Sequence, residues 1–334
     1  MTDCARILSY SMADIKPFDV RIACWQKGQT KGQRAETLEE TEGAHFCWID
    51  VMSCDHKAAA TFLIEKFGFH ELEVEDALAE GERPHLHENE SHLFFTAPAI
   101  RTEEAKLYFS EVGFFISKGR LVTVTTEPVA LLEAMHTRLC EKAGPPIRDA
   151  SRLLYLLVDA IVDAYYPVMD MLEDRADELE SSVFGGEVVP IKDLLRVKRR
   201  LLEIRRSLAP FRDILNGLLR HDIVFIAKAD SIFFHDIYDH VLRVLEHVDL
   251  NRDILASVLE ANLATVSNRL NQVMRVLTVA SVVLMSIAVV SGIYGMNFNF
   301  MPELKQPWGY PAALGFMLFV AAVELWIFRK KGWL

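Results

Sequence analysis

The 334-residue sequence predicts an α/β domain, then a long helical stalk, then two membrane-spanning helices. Three observations carry this. Before Thr126, segments rich in β-branched and aromatic residues alternate with helical ones. After Asp149 no strand pattern remains, and from Ser231 to Gly292 there is neither Pro nor Gly. Two apolar runs, Val276–Ile293 and Tyr310–Phe328, are each long enough to cross a hydrocarbon core.

Taken in order, residues 1–148 form the α/β domain. Val20–Trp25, His45–Val51, His92–Ile100, Leu107–Ile116 and Leu121–Thr125 read as strands. His56–Phe67 and Val129–Lys142 read as helices, and the Gly-containing polar segment Gly28–Gly43 reads as a loop. Residues 149–230 form a helical hairpin. Its first arm, Ala150–Val183, places Leu153, Leu154, Leu157, Val158, Ile161 and Val162 on one broad face. Gly185-Gly186 breaks it, and Pro190 opens the second arm, Ile191 to about Leu219. That arm is dense in Arg and Lys. No aromatic residues interleave with the charges, so it reads as a solvated face balanced by the acidic Glu173–Glu180 stretch, not as a nucleic-acid surface.

Residues 231–275 form the stalk and 276–293 the first span. Sixty uninterrupted helical residues would be about 90 Å long, more than one globular core needs. Residues 294–309 are the connecting loop and 310–328 the second span. The tail, 329–334, opens with Arg329-Lys330-Lys331, which marks the cytoplasmic end by the positive-inside rule. With only Glu303 and Lys305 charged, the loop belongs outside, and the N-terminal domain then shares the cytoplasmic side of a plasma (inner) membrane. The alternative is a soluble protein with two buried core helices. Glu324 falls within the second span, where Arg329 or Lys330 is its expected partner; a proton-linked role is the other reading.

The net charge of −11 suits a cationic partner, although many soluble proteins are as acidic. Five cysteines, Cys4, Cys24, Cys47, Cys54 and Cys140, lack any Cys-x-x-Cys pairing and are expected to be free thiols in a reducing compartment. No Ser-His-Asp order, phosphate-cradling loop or nucleophile motif points to an enzyme.

A 3,4 repeat along the long helix collects Asn271, Met274, Thr278, Ser281, Met285, Ala288 and Gly292 on one face. Such a polar, small face can pack against a neighbouring helix or line a water-filled path. Continued toward the N-terminus, the stripe meets Ser267, Glu260, Ser257, Asp253 and Glu246. Identical copies would set these acids against one another, and cations on a shared axis remove that objection. One helix cannot enclose an axis, so this reading demands a ring of identical subunits.

Tyr294-Gly295-Met296-Asn297-Phe298 resembles the signature of the CorA superfamily of divalent-cation channels. Met301-Pro302-Glu303-Leu304, Lys330-Lys331-Gly332-Trp333-Leu334, Tyr238-Asp239-His240 and Val266-Ser267-Asn268 fit the same pattern, as do Val74–Leu78 and Arg83-Pro84 more weakly. The resemblance implies a homopentameric funnel in membrane lipid. Gly295, Met296 and Asn297 would form its outer mouth. Met274 and Leu277 would form an apolar constriction, and Asn271 and Glu260 polar positions along the cytoplasmic pore. Asp76 and Asp236 would form a divalent-ion sensor shared between neighbouring subunits. Gly295 is also expected to turn the chain sharply after the helix. Apart from the transported and regulatory ions, Mg²⁺ with Co²⁺ or Zn²⁺, no cofactor is implied.

Two departures bear on the ion. Arg83-Pro84 is followed by His85-Leu86-His87, where the family often has Lys, and Ala288 replaces a family Thr. His85, His87 and His92 form a sequence cluster that reads as exposed histidines or as a Zn²⁺ site. The superfamily includes a ZntB-like zinc branch, thought to couple uptake to protons, so the expected function is Mg²⁺/Co²⁺ conduction gated by internal divalent ions, with proton-coupled zinc transport as the alternative.

Overall fold

A computed structural model describes residues 18–79, 85–103, 106–141, 147–220, 223–296, 301–302 and 306–333. Among them the chain divides into two compact units, Met1–Leu179 with Ile191–Ala256, and Glu180–Pro190 with Ser257–Leu334.

The first unit holds a seven-stranded mixed sheet. In chain order its strands are β1 Phe18–Trp25, β2 Gln33–Ala35, β3 Phe46–Ser53, β4 Leu86–Glu88, β5 His92–Glu103, β6 Lys106–Ser117 and β7 Arg120–Thr125, and in space they run β2-β1-β3-β7-β6-β5-β4. Only β3 and β7 are parallel, pairing Ile49 with Val122 and Val51 with Val124. Helices α1 (His56–Phe67) and α2 (Glu71–Leu78) share one core with Cys47, Ile49, Val51, Val122 and Val124. The alternate residues point the other way, where Trp48 meets His136 of α3 (Ala130–Glu141). All eight residues of β3 are therefore buried, Asp50 among them, which is why apolar residues occur on both faces of this strand.

The five strands expected from sequence are present. Two more, β2 and β4, are three-residue edge strands that exist through pairing with β1 and β5. β2 lies inside the stretch read as loop. The expected single arm 150–183 is two helices, α4 (Ala150–Asp163) and α5 (Tyr165–Phe184), with Pro167 in the first turn of α5, where a missing N–H costs least. Tyr165 at the junction is fully buried and donates its hydroxyl to the Pro98 carbonyl of β5 at 2.9 Å. Burial raises the Tyr165 phenol above its usual range.

The thiol expectation is corrected at one pair. Cys24 and Cys47 face each other in the β1–β3 register with Cα atoms 4.2 Å apart, joined as a cross-strand disulfide. The residues are 23 apart in sequence, so only strand pairing brings them together. Cys54 and Cys140 are free, and Cys4 lies outside the described residues.

Helix α6 (Ile191–Arg220) carries the basic face, part of it in ion pairs, among them Arg196 with Asp193 and Arg205 with Asp249. Helix α7 runs unbroken from Ser231 to Tyr294, 64 residues, and α8 spans Gly309–Lys330. Both pass the length and apolarity needed to cross a membrane. Most of their apolar side chains are not in a protein core: Leu284 is 66% exposed and Leu318 72%. A soluble protein would bury them, and lipid would cover them as they stand.

Candidate ion path and divalent-ion site

The polar stripe of α7 is uncovered. Asn271, Met274, Thr278, Ser281, Met285, Ala288 and Gly292 are all exposed, as are Leu277 and, further toward the N-terminus, Glu260. The span has another face that is partly covered, made of Val279, Val283, Ser286, Ile287 and Val290. At 3.6 residues per turn that face lies about 150° around the helix from the stripe. α8 is joined there: Ser286 donates its hydroxyl to Glu324 at 2.5 Å. The less exposed residues of α8, Ala313, Met317, Val320, Glu324 and Phe328, recur at spacings of three and four, as a helix seam requires. The expected Glu324 partner is thereby corrected, from the basic tail to a hydroxyl on the other span. Thr278 spends its proton on the Met274 carbonyl at 2.7 Å, which leaves its oxygen as an acceptor.

At its C-terminal end α7 closes through Gly295 N–H bonds to the carbonyls of Ser291 (2.9 Å) and Gly292 (3.2 Å). Gly295 is not in the left-handed region, so the turn at Gly295 and Met296 is made without a left-handed cap. A Cβ there would lie 3.3 Å from the Ser291 oxygen, and glycine permits this tight closure. Met296 is 49% exposed. Asn297 lies outside the described residues.

A second arrangement sits in the first unit. Asp159 and Asp163 occupy successive turns of α4, and with His240 of α7 their ligand atoms lie within 4.8 Å of one another. Asp236, one turn before His240, reaches it as well: His240 Nε2 is 3.8 Å from Asp236 Oδ1, and its Nδ1 is 3.9 Å from Asp163 Oδ1. Neither distance is a hydrogen bond, and Nδ1 is buried without a partner among the described residues. Burial, then the neighbouring Asp163 charge, pushes the Asp159 carboxyl up to about 6; Asp236 adds to the rise, and His240 and Arg152 oppose it. Crowded carboxylates of this kind are relieved by a proton or by a cation. Three carboxylates and one imidazole offer oxygen donors suited to Mg²⁺ and one nitrogen donor suited to Co²⁺ or Zn²⁺.

The profile of the family described as "CorA-like Mg2+ transporter protein" matches residues 43–330. The chain belongs to the CorA family. The "Cobalt/magnesium transport protein CorA" of Thermotoga maritima is 31% identical over 291 residues, covering 86% of this chain and 83% of the relative. The complete structure of the CorA magnesium transporter from Methanocaldococcus jannaschii superposes with a TM-score of 0.83 at 23% identity, over 94% of this chain and 98% of that one. The cytoplasmic domain of ZntB from Vibrio parahaemolyticus matches 74% of this chain with a TM-score of 0.62 at 14% identity, covering 98% of that chain. At these identities the two structures establish shared fold alone, and the fold does not separate magnesium from zinc relatives. Membership of the CorA family makes the chain a membrane transporter of divalent cations, not an enzyme.

Against that CorA frame, the residues named from sequence fall in several places. Asp236 belongs to the acidic cluster, while Asp76 is half-buried on α2, and among the described residues no hydrogen bond or ion pair joins the two within the chain. Asp159, Asp163 and His240 were not singled out as ligands. Their signal was nonetheless present, as two i,i+4 pairs of ligand residues, Asp159-x-x-x-Asp163 on an apolar helix and Asp236-x-x-x-His240 on the stalk. The histidine cluster does not assemble. His92 is buried in a bond of 2.7 Å to Glu73 Oε2, with Ser91 Oγ 2.8 Å from its other nitrogen, whereas His85 and His87 are exposed. A histidine whose two nitrogens are already engaged is not offered to a metal shared with His85 and His87.

Proposed function

We propose that the chain assembles as a homopentamer in the plasma (inner) membrane, both termini cytoplasmic, and conducts Mg²⁺ and Co²⁺ along an axis lined by the α7 stripe. The observation that carries this reading is the placement of Asn271, Met274, Thr278, Ser281, Met285 and Gly292 on the face opposite the α8 seam. A stripe of Asn, Thr, Ser and Gly turned to lipid has no physical reason to exist, and it is not used to pack α8. A ring of copies would turn it inward.

In this reading Gly295, Met296 and Asn297 form the outer mouth. Mg²⁺ gives up its waters reluctantly, and a ring of carboxamide oxygens accepts hydrogen bonds from those waters without stripping them. A carboxylate ring would hold the ion harder and slow its release. Met274 and Leu277 form the apolar constriction, which closes by drying. Asn271 and Glu260 continue the path inward. Internal divalent ions bound at Asp236 with Asp159, Asp163 and His240, and at Asp76 between subunits, hold the ring shut by binding the closed state more tightly than the open one.

The second reading is a ZntB-like zinc transporter coupled to protons, favoured by the nitrogen ligand His240 within the cluster. Flux into liposomes decides. The wild type is expected to take up Mg²⁺ and Co²⁺ with or without a pH gradient, and Asn297→Ala to lose uptake while remaining a folded oligomer. Unchanged Mg²⁺, Co²⁺ and Zn²⁺ flux in Asn297→Ala refutes the pore mouth. Zinc flux that requires a pH gradient, without Mg²⁺ flux, selects the second reading.

A further inference from the structure

The last buried residue of α7 before its membrane segment is polar. Asn262 is fully buried, and between it and Val279 no residue of the helix is buried. Its carboxamide is used twice on one residue of the link between α5 and α6. Oδ1 accepts from the Val189 N–H at 3.1 Å, and Nδ2 donates to the Val189 carbonyl at 2.9 Å.

The link is built to present that residue. α5 ends with Gly186 at φ +85, a left-handed residue, as Gly186 N–H bonds to the Val183 carbonyl and Glu187 N–H to the Ser182 carbonyl. This closes the helix and sends the chain out extended. Pro190 then fixes the other side before α6 begins. Val189 is left between two constraints with both its backbone groups needing partners. A carboxamide matches that need, because its oxygen accepts and its separate NH2 donates, and the two atoms can meet one residue's N–H and C=O together.

An apolar residue would satisfy burial at position 262. What the carboxamide adds is direction. A turn of α7 by one residue swings position 262 through about 100° and breaks both bonds. Met274 follows 12 residues later, about 18 Å along the helix. We infer that Asn262 is a positioning residue for the gate, holding the rotational phase of α7 so that Met274 and Leu277 of every subunit face the axis together. The inference rests on the channel reading above. Closure by an apolar ring needs all copies in phase, while a conducting opening does not, so losing the clamp disfavours closure.

The test uses full-length protein in liposomes, with flux measured against internal Mg²⁺. Asn262→Leu keeps the branched shape of the side chain and removes both bonds. The internal Mg²⁺ needed for half-inhibition is expected to rise about thirtyfold, the equilibrium equivalent of two net hydrogen bonds of about 1 kcal/mol each. A merely structural role moves the melting temperature and leaves that midpoint in place. A midpoint within twofold of wild type therefore overturns the inference. Wild-type flux that internal Mg²⁺ does not shut overturns the gating reading beneath it instead. Should Asn262→Leu fail to assemble, hydrogen exchange in the wild type decides: the peptide containing Val189 exchanges at least about tenfold faster without Mg²⁺, because both bonds then open. Equal rates with and without Mg²⁺ refute the clamp.

Discussion

Asp163→Asn tests the acidic cluster most sharply, because two signs of effect are expected from one substitution. Asp163 and Asp159 offer ligand atoms within 4.8 Å of each other, beside Asp236 and His240. Two like charges at that separation repel by about 3 kcal/mol at an effective dielectric of about 20. The Asp163 and Asp236 side chains are more than half exposed, and solvent screening reduces this to roughly 1 kcal/mol. Without divalent ion, neutralising Asp163 therefore raises the stability of the protein by about that amount, a shift of a few degrees. With ion the sign reverses. An ion at one hundred times its dissociation constant stabilises the wild type by about 2.7 kcal/mol, or roughly 5–10 °C. Asp163→Asn loses most of that shift. The assay is thermal unfolding of the detergent-solubilised protein at pH 7.5, in chelator and across a Mg²⁺ series, with Co²⁺ in parallel. If the variant melts lower in chelator and keeps the full Mg²⁺ shift, Asp163 is an ordinary structural carboxylate and the cluster is not an ion site.

The same cluster sets a pH dependence. The Asp159 carboxyl is raised to about 6, so the folded state holds its proton more tightly than the unfolded chain; that contribution is fully present below about 4 and is lost as pH rises through about 6. His136, pushed down to about 4 by burial first and Arg21 next, acts oppositely over the window from 6.5 to 4. Comparison of wild type with Asp159→Asn in chelator isolates the first effect, and the Mg²⁺-induced shift should weaken below about pH 6, where the ligand is protonated; a shift independent of pH excludes Asp159 as a ligand. At the seam, Ser286→Ala leaves Glu324 without its hydroxyl partner and costs about 1–3 kcal/mol, whereas Ser286→Ala with Glu324→Leu recovers most of the loss. Additive melting-temperature losses in the double variant would show that the two side chains are not coupled.

The extent of α7 and α8 was legible because it rests on local facts: no helix breaker over sixty residues, one charge-free run and one interrupted by Glu324 alone, and a basic flank. The five long strands were legible for a similar reason, since each is dense in β-branched and aromatic residues, most of all where both sheet faces are covered. The polar stripe could be read as a period, although whether it packed a neighbour or stood open could not. The covered face of Val279, Val283, Ser286 and Val290 separates those alternatives within one subunit.

What sequence by itself determined was everything carried by spacing along one element: the helices, the spans, the stripe and the family signature. What only tertiary structure decided was pairing between distant segments. Strands β2 and β4 exist because β1 and β5 offer unpaired edges. Cys24 met Cys47, His92 turned inward to Glu73, and Asp159 and Asp163 came to His240, 77 residues beyond Asp163, through helix packing. By spacing alone Asn262 is one more polar residue on the stalk, and only packing against Val189 gives its carboxamide two partners. A side chain's local pattern fixes which face it occupies; what that face meets depends on the rest of the chain, and hydrogen-bonding, charge and ligation act only at that meeting.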